Sequence, residues 1–506
     1  MARKGDSTNG LKPKRRSTPS FIVELPLRTH KQDERWLDDR LLCGARLSNV
    51  LLQDGLDIVE AMRKDPGWQA AKKIKDLEQR KIAYKDLRLN RQFYSSHFDK
   101  LVAEHARAAG FYGRIGTHEM QAIAKRVFHS LSKWVLGKGG RPRFKGRNRA
   151  LHSLEGKNNA GMLQWRRDEQ VLQMEKGWGI PAIVPNLKKN EWLADALQAE
   201  TKYCRIVWRR LNGVKRWYVQ LVQEGLVPLK ARLLEKLAPE GSEGGLDLGP
   251  GSLAWCTEME AGLEKLCPEI DRPEQEIRIL QRQLDRQRRY ANPDNFKADG
   301  TVRKGKKAWT ISNQQGRVET KLANLQRKEA ATRKRSHGEL LNFLLTKARC
   351  WKDDGVSPKS LQKTYGKSVG KRAPGMLMSE LKRKAERASG KRSVIDIRNL
   401  KTSQYDHTTD RFAKKKLSER WHWFGDGRGK AQRDVYSAFL ALHCEGRKHN
   451  PVMLETAWQA LEPALSVAGL CEVKDARVGC TDPRQDFACR QSVSPVIPEQ
   501  YGLSFA

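Results

Sequence analysis

Glu243-Gly244-Gly245-Leu246-Asp247-Leu248-Gly249-Pro250 is a short apolar strand with one acid at its centre and glycines on both sides. Burying a carboxylate unpaired in such a strand is costly, so Asp247 has little reason to be there for stability. Beside a metal ion the same carboxylate becomes a ligand. Two other acidic positions stand in comparable settings. Asp434 lies in Gln432-Arg433-Asp434-Val435-Tyr436-Ser437-Ala438, at the start of a predicted helix, where the helix dipole alone also favours an acid. Asp353-Asp354 precede Gly355-Val356-Ser357-Pro358, a loop where turn chemistry is the simpler reading. Hydrolysis of a phosphodiester by two metal ions needs several carboxylates converging on hard cations. Strand, loop and helix, in that order, suit an RNase H-like fold, although spacing alone does not select these three acids.

The surrounding chain is strongly basic. Its 506 residues hold 97 Lys plus Arg against 59 Asp plus Glu, a formal net charge of +38 and a pI near 10.0. Phosphate backbones are the commonest polyanion able to neutralise such a charge. The basic residues are dispersed along the chain and not set on one amphipathic helix, which makes a membrane surface the weaker partner. No run of about 18 apolar residues occurs, and the basic, polar N-terminus has no secretory h-region. Nine scattered cysteines without a CxxC pair point to reduced thiols in a cytosol and exclude a four-cysteine zinc ribbon.

Residues 1–20 read as a disordered basic arm, and Phe21 to Leu27 as a strand stopped by proline, within a segment 21–31. Apolar residues at helical spacing make 32–135 a helical lobe. At Lys138 to Arg147 the texture changes to a Gly-, Pro- and Arg-rich loop carrying Arg141, Arg143, Lys145 and Arg147, which is suited to close phosphate approach or to a flexible linker. Alternating stretches around Tyr203–Arg209 and Arg216–Val222, joined by Asn212-Gly213, predict a hairpin inside a small β-domain over 136–240. Residues 241–402 open a new unit with basic helices, the first carrying Arg286, Arg288 and Arg289 and the second running from about Glu319 to Leu345.

Here the chain resembles a known family. Gly245 to Pro250 resembles the first RuvC motif of TnpB nucleases and compact type V CRISPR effectors. Thr402 to Gln404, Leu417 to Trp421 and Gln432 to Ala438 resemble the stretch leading into the third motif. Val356 to Lys363, Gly366 to Val369 and Arg372 to Gly375 resemble the region after the second. The resemblance is specific over about residues 245–445 and loose upstream, where Pro142 to Gly146 is similar to the family's proline-basic-aromatic segment.

The resemblance implies a multidomain α+β chain: an RNase H-like (RuvC) α/β nuclease domain, a helical recognition lobe and a small wedge-like, β-barrel-like domain. It makes Asp247, Asp354 and Asp434 the ligands of two Mg²⁺ ions and Arg420 the arginine approaching the scissile phosphate. It implies a guide RNA, a target DNA with a short flanking motif, and a prokaryotic cytoplasm. The setting is antiviral defence or transposition, the length favouring the former. Two departures stand out. The second acid is usually glutamate, so Asp354 leaves open an active nuclease or an RNA-guided binder that cuts weakly or not at all. Where the family has two cysteine pairs, residues 403–430 offer Asp406, His407, His422 and Asp426. These form either a mixed N/O metal site or a hydrogen-bonded, metal-free substitute for the zinc ribbon. Residues 431–506 close the nuclease domain, with a helix near Met453 to Leu465 and a tail without assigned function.

Overall fold

The computed structural model describes residues 18–473 except 147–148, 176–177, 271–272, 306, 356 and 417. The basic arm before residue 18 and the tail after 473 lie outside the described residues. The chain divides into two compact units, one of residues 1–236 and 269–335, the other of 237–268 and 336–506.

The first unit begins with β1 (Ser20–Pro26) and five helices: α1 (Lys31–Lys64), α2 (Pro66–Lys73), α3 (Leu77–Asn90), α4 (Ser95–Ala108) and α5 (Thr117–Val135). Leu37, Leu41, Leu51 and Val59 of α1 pack with Phe98, Ile123 and Leu131 in one core that also takes in strand residues. Arg40 of α1 and Glu119 of α5 form a fully buried ion pair, and Glu119 also accepts the Gly116 amide. Such a pair adds little net stability, but removing one partner would strand a buried charge.

The strands that follow are β2 (Ser153–Glu155), β3 (Gln164–Arg166), β4 (Val171–Glu175), β5 (Trp178–Pro181), β6 (Thr201–Leu211) and β7 (Val214–Glu224), with α6 (Glu191–Gln198) and α7 (Ala231–Leu234). The expected hairpin is β6–β7, and Asn212 and Gly213 both have positive φ, as its two-residue turn requires. The barrel-like expectation is corrected. The strands form an open antiparallel sheet in the order β1-β7-β6-β2, beside a separate β3-β4-β5 meander. Three-residue β2 is too short to close the sheet around to β1. Helical lobe and β-domain share one core, so the expected division at 135 is not a boundary between cores. The arginine-rich α8 (Pro273–Ala291) and the first part of α9 (Asn313–Lys347) also cluster with this unit, which differs from a single block over 241–402. Within it, the β6–β7 turn meets α9, where the Asn212 amide donates to Asn324.

The second unit is built on β8 (Glu243–Leu248), β9 (Ser252–Cys256), β10 (Ala261–Lys265), β11 (Cys350–Asp353) and β12 (Arg392–Val394), in the order β10-β9-β8-β11-β12. The first three meander antiparallel, whereas β11 runs parallel to β8 and β12 parallel to β11. Side chains alternate across the sheet. On one face Leu246, Leu248, Leu253, Trp255 and Trp351 pack with Leu341 and Leu344 of α9 and with Leu377 and Leu381 of α11 (Pro374–Arg387), which follows α10 (Pro358–Arg372). On the other face Ala254 and Cys256 pack under α13 (Arg433–Leu442) and α14 (Pro451–Val467). There α13 lies against the backbone of β8, and a methyl at Gly245 would collide with the Ala438 carbonyl oxygen and the Leu442 amide nitrogen. Only glycine permits that approach.

Between β12 and α13 come α12 (Ile397–Leu400), a β13 (Tyr405–Asp406) and β14 (Arg411–Phe412) ribbon, β15 (Trp421–Trp423) and β16 (Gly429–Gln432). The last two join β17 (Cys471–Val473) in a small sheet. Among the described residues no helix is long and apolar enough to cross a membrane.

Candidate active site

Asp247 is the fifth residue of β8 and shares its face with Gly245, so its carboxyl points toward α13. Burial, and then repulsion from Asp354 and Asp434, raises this carboxyl well above the usual range. The Arg433 charge and the nearby Ser437 hydroxyl, which itself donates to the Arg433 carbonyl at 3.1 Å, oppose that shift. Three acids from distant parts of the chain are thus coupled electrostatically on one face of the sheet.

Asp353 and Asp354 divide the work at the end of β11. The parallel register sets Asp353 opposite Leu246, and Asp353 is buried in a two-pronged bond with Arg392, 2.6 and 2.8 Å, while accepting the Gly355 amide. It is a structural ion pair. Asp354, the next residue, is the one coupled to Asp247.

Asp434 sits in the first turn of α13, whose N-cap Gln432 accepts the Val435 amide. Arg433 fixes one of its oxygens: Nε and Nη2 both donate to Oδ1, at 3.1 and 2.9 Å. The same guanidinium donates to the Glu419 carbonyl, and the Arg433 amide donates to the Arg420 carbonyl. Arg433 therefore ties Asp434 to the segment carrying Arg420. Arg420 stands 4.0 Å from the other oxygen of Asp434 and is 65% exposed. A long cation so placed can swing onto a phosphate at the site.

Carboxylate oxygens are the donors magnesium prefers, and mutual repulsion is what a divalent cation would relieve, so this set fits Mg²⁺ in chemistry. Among the described residues, however, no three His, Cys, Asp or Glu side chains stand close enough to share one ion. The acids are coupled through their charges without being gathered into a cage.

In the ribbon-like segment Asp406, His407 and His422 come together with aromatic rings. Asp406 accepts the Thr408 amide and hydroxyl and the Gly425 amide. Burial would raise its pKa, but these bonds and His422 hold it far below the usual range. His407 Nδ1 is 2.7 Å from the Tyr436 hydroxyl and its Nε2 is 3.2 Å from Glu455, while burial pushes its pKa down to about 4. His422 stacks on Tyr436 at 4.3 Å and bonds the Lys415 ammonium. Asp426 is exposed and held by Arg428. With a lysine cation against one histidine and Asp426 turned to an arginine, these residues do not fit a zinc ion. Phe424, Phe439 and Trp458 complete an aromatic core in its place.

Of the basic residues, Arg141 and Arg143 are exposed and Lys145 is half-buried on the loop before β2, whereas Arg147 lies outside the described residues. Arg286, Arg288 and Arg289 are exposed on α8, with Arg288 over the Trp309 ring and Arg289 over Phe296. Arg433, Ser437 and Lys415 escaped the sequence reading. Ser437, three residues after Asp434 on one helix face, had a spacing signal; Lys415 had none.

No family model matches the chain, and no curated protein does. Among solved structures it is similar to a Cas12f1–sgRNA–target DNA complex, with a TM-score of 0.47 and 9% identity over 84% of this chain and 98% of that one. A CRISPR-Cas12f ternary complex matches with a TM-score of 0.25 and 12% identity over 83% of each chain.

Proposed function

We propose that this chain is an RNA-guided DNA-binding effector whose RuvC-type, RNase H-like site cleaves DNA. The observation that carries the reading is the coupling of Asp247, Asp354 and Asp434 on one sheet face, from strand, strand end and helix start. The net charge of +38 and the motif resemblance over about 245–445 support a nucleic-acid complex. In such a complex a guide RNA reads sequence by pairing, while the protein reads backbone, shape and a short flanking DNA motif.

Asp247, Asp354 and Asp434 would hold two Mg²⁺ ions, which supply a nucleophile from water and neutralise charge on the attacking and leaving oxygens. The protein's own groups do the positioning. Arg433 holds Oδ1 of Asp434 and leaves Oδ2 to face the site, and Arg420 lies beside that oxygen to orient a phosphate.

A second reading, an RNA-guided binder with weak or no cleavage, is favoured by the acids' not being gathered and by the shorter Asp354. The test is cleavage of a guide-matched plasmid in Mg²⁺ by the protein purified with its small RNA, beside Asp247→Ala/Asp434→Ala. Cutting by the native protein alone supports the nuclease. Guide-dependent binding without cutting in either selects the binder, and failure to bind RNA or target removes both.

A further inference from the structure

The loop before β2 is clasped to α1 by one side chain. The Lys145 amide donates to Asn49 Oδ1 and the Asn49 side-chain amide donates back to the Lys145 carbonyl, both at 2.9 Å. Further on, the Leu151 amide donates to the Leu41 carbonyl at 3.0 Å. Behind this strap lies a cavity of about 360 Å³, whose polar lining includes Ser48 of α1, Arg126 and Ser130 of α5, and Arg143, Lys145 and His152.

Its charge is unbalanced. The Lys145 ammonium is pushed below its ordinary value by burial and then by repulsion from Arg126 and Arg149. Among the described residues neither Arg143 nor Lys145 has a carboxylate within ion-pairing distance. The acid nearest in sequence, Glu155, is already shared by Arg126 at 3.0 Å and Arg205 at 2.8 Å. Cations that outnumber their counter-ions disfavour each other until an anion enters, and partial desolvation strengthens that anion's binding. Ser48 and Ser130 add hydroxyl donors, and His152 is stacked on Trp208 at 5.0 Å. The clasp means the site need not be ordered on binding, which lowers the cost of occupancy.

We propose that this cavity seats a backbone phosphate of a bound nucleic acid, with Arg143 and Lys145 as its charged contacts and Asn49 as the residue that positions the strap. This rests on the nucleic-acid-binding reading above and gives it an address. Guide RNA and target DNA share the phosphodiester chemistry, and the test separates them.

The full chain would be titrated with a fluorescent RNA stem-loop and with a DNA duplex of the same sequence across a salt series. Arg143→Gln/Lys145→Gln is compared with Lys188→Gln/Lys189→Gln, which removes two exposed charges outside the cavity. The cavity variant should bind one probe at least about tenfold more weakly and lower its salt slope by about 2, against a loss below about threefold for the control. Asn49→Ala, with every charge kept, should reproduce part of that loss. Bound probe should also slow acylation of Lys145, read by mass spectrometry, and the probe that does so names the source. Equal losses in both double variants, or acylation of Lys145 unchanged in the complex, overturns the seat while leaving nucleic-acid binding intact. A wild-type chain that binds neither probe overturns the functional reading and the seat together.

Discussion

The second unit crowds ionisable groups in two neighbouring places and treats them in opposite ways. In the core between β13 and α14, Asp406 is met by Thr408 and Gly425, His407 by Tyr436 and Glu455, and His422 by Lys415 and the Tyr436 ring. On the face of β8 under α13, Asp247 is left in repulsion with Asp354 and Asp434. Where the carboxylate is met by donors and burial keeps the histidines neutral among aromatic rings, the arrangement holds the fold. Where like charges are crowded and partly answered, the arrangement costs stability and is suited to chemistry.

That contrast can be broken in order of size. On the nuclease reading proposed above, Asp354→Asn should cost cleavage at least about 10⁴-fold, about 5.5 kcal/mol on the barrier, while Asp354→Glu keeps it. Plasmid cleavage with the guide bound checks this, and an Asp354→Asn protein that cuts normally would take Asp354 out of the site. In the aromatic core, Trp458→Ala should lower unfolding free energy by about 3–5 kcal/mol in urea, because the ring is fully buried against Phe424, Tyr436 and Phe439. A loss below about 1 kcal/mol would mean the core is not what holds this segment.

A third effect is titrational. His443, at the C-cap of α13, is held down to about 4 by burial and then by Lys352, against an ordinary 6.5. The unfolded chain therefore binds more protons between those values. Its own share of the stability should be whole above about pH 6.5, fall by at most about 3 kcal/mol toward pH 4 and level off below, beside the share of His407, which burial lowers in the same way. His443→Gln should flatten that slope in urea midpoints taken across the range; an unchanged slope would assign it to other groups. The smallest effect has the opposite sign. Asp247→Asn should raise stability by about 1–2 kcal/mol, because it removes the repelled carboxylate. A destabilised Asp247→Asn protein would show that the acid is fully compensated after all.

Much of this contrast was legible in the sequence. The isolated acid in Gly244 to Gly249 located a strand, Asp434 a helix start and Asn212-Gly213 a turn, because each rests on local rules. The choice between Asp353 and Asp354 was not local. It depends on the register of β11 with β8 and on Arg392 from another strand. Likewise the open sheet of the first unit follows from the shortness of β2, and the core around Tyr436 from rings at 407, 424 and 458 that meet only in three dimensions.

The contact at Gly245 has a consequence for how this protein can change. With α13 resting main chain to main chain on β8, the span from Asp247 to the start of that helix is measured by backbone atoms, as on a ruler without adjustable marks. Repacking the leucine and tryptophan layer on the sheet's opposite face can raise or lower the melting point while leaving that span alone. Drift in thermal tolerance and drift in the acids' spacing are therefore separate routes, and the second opens only when the helix itself is moved.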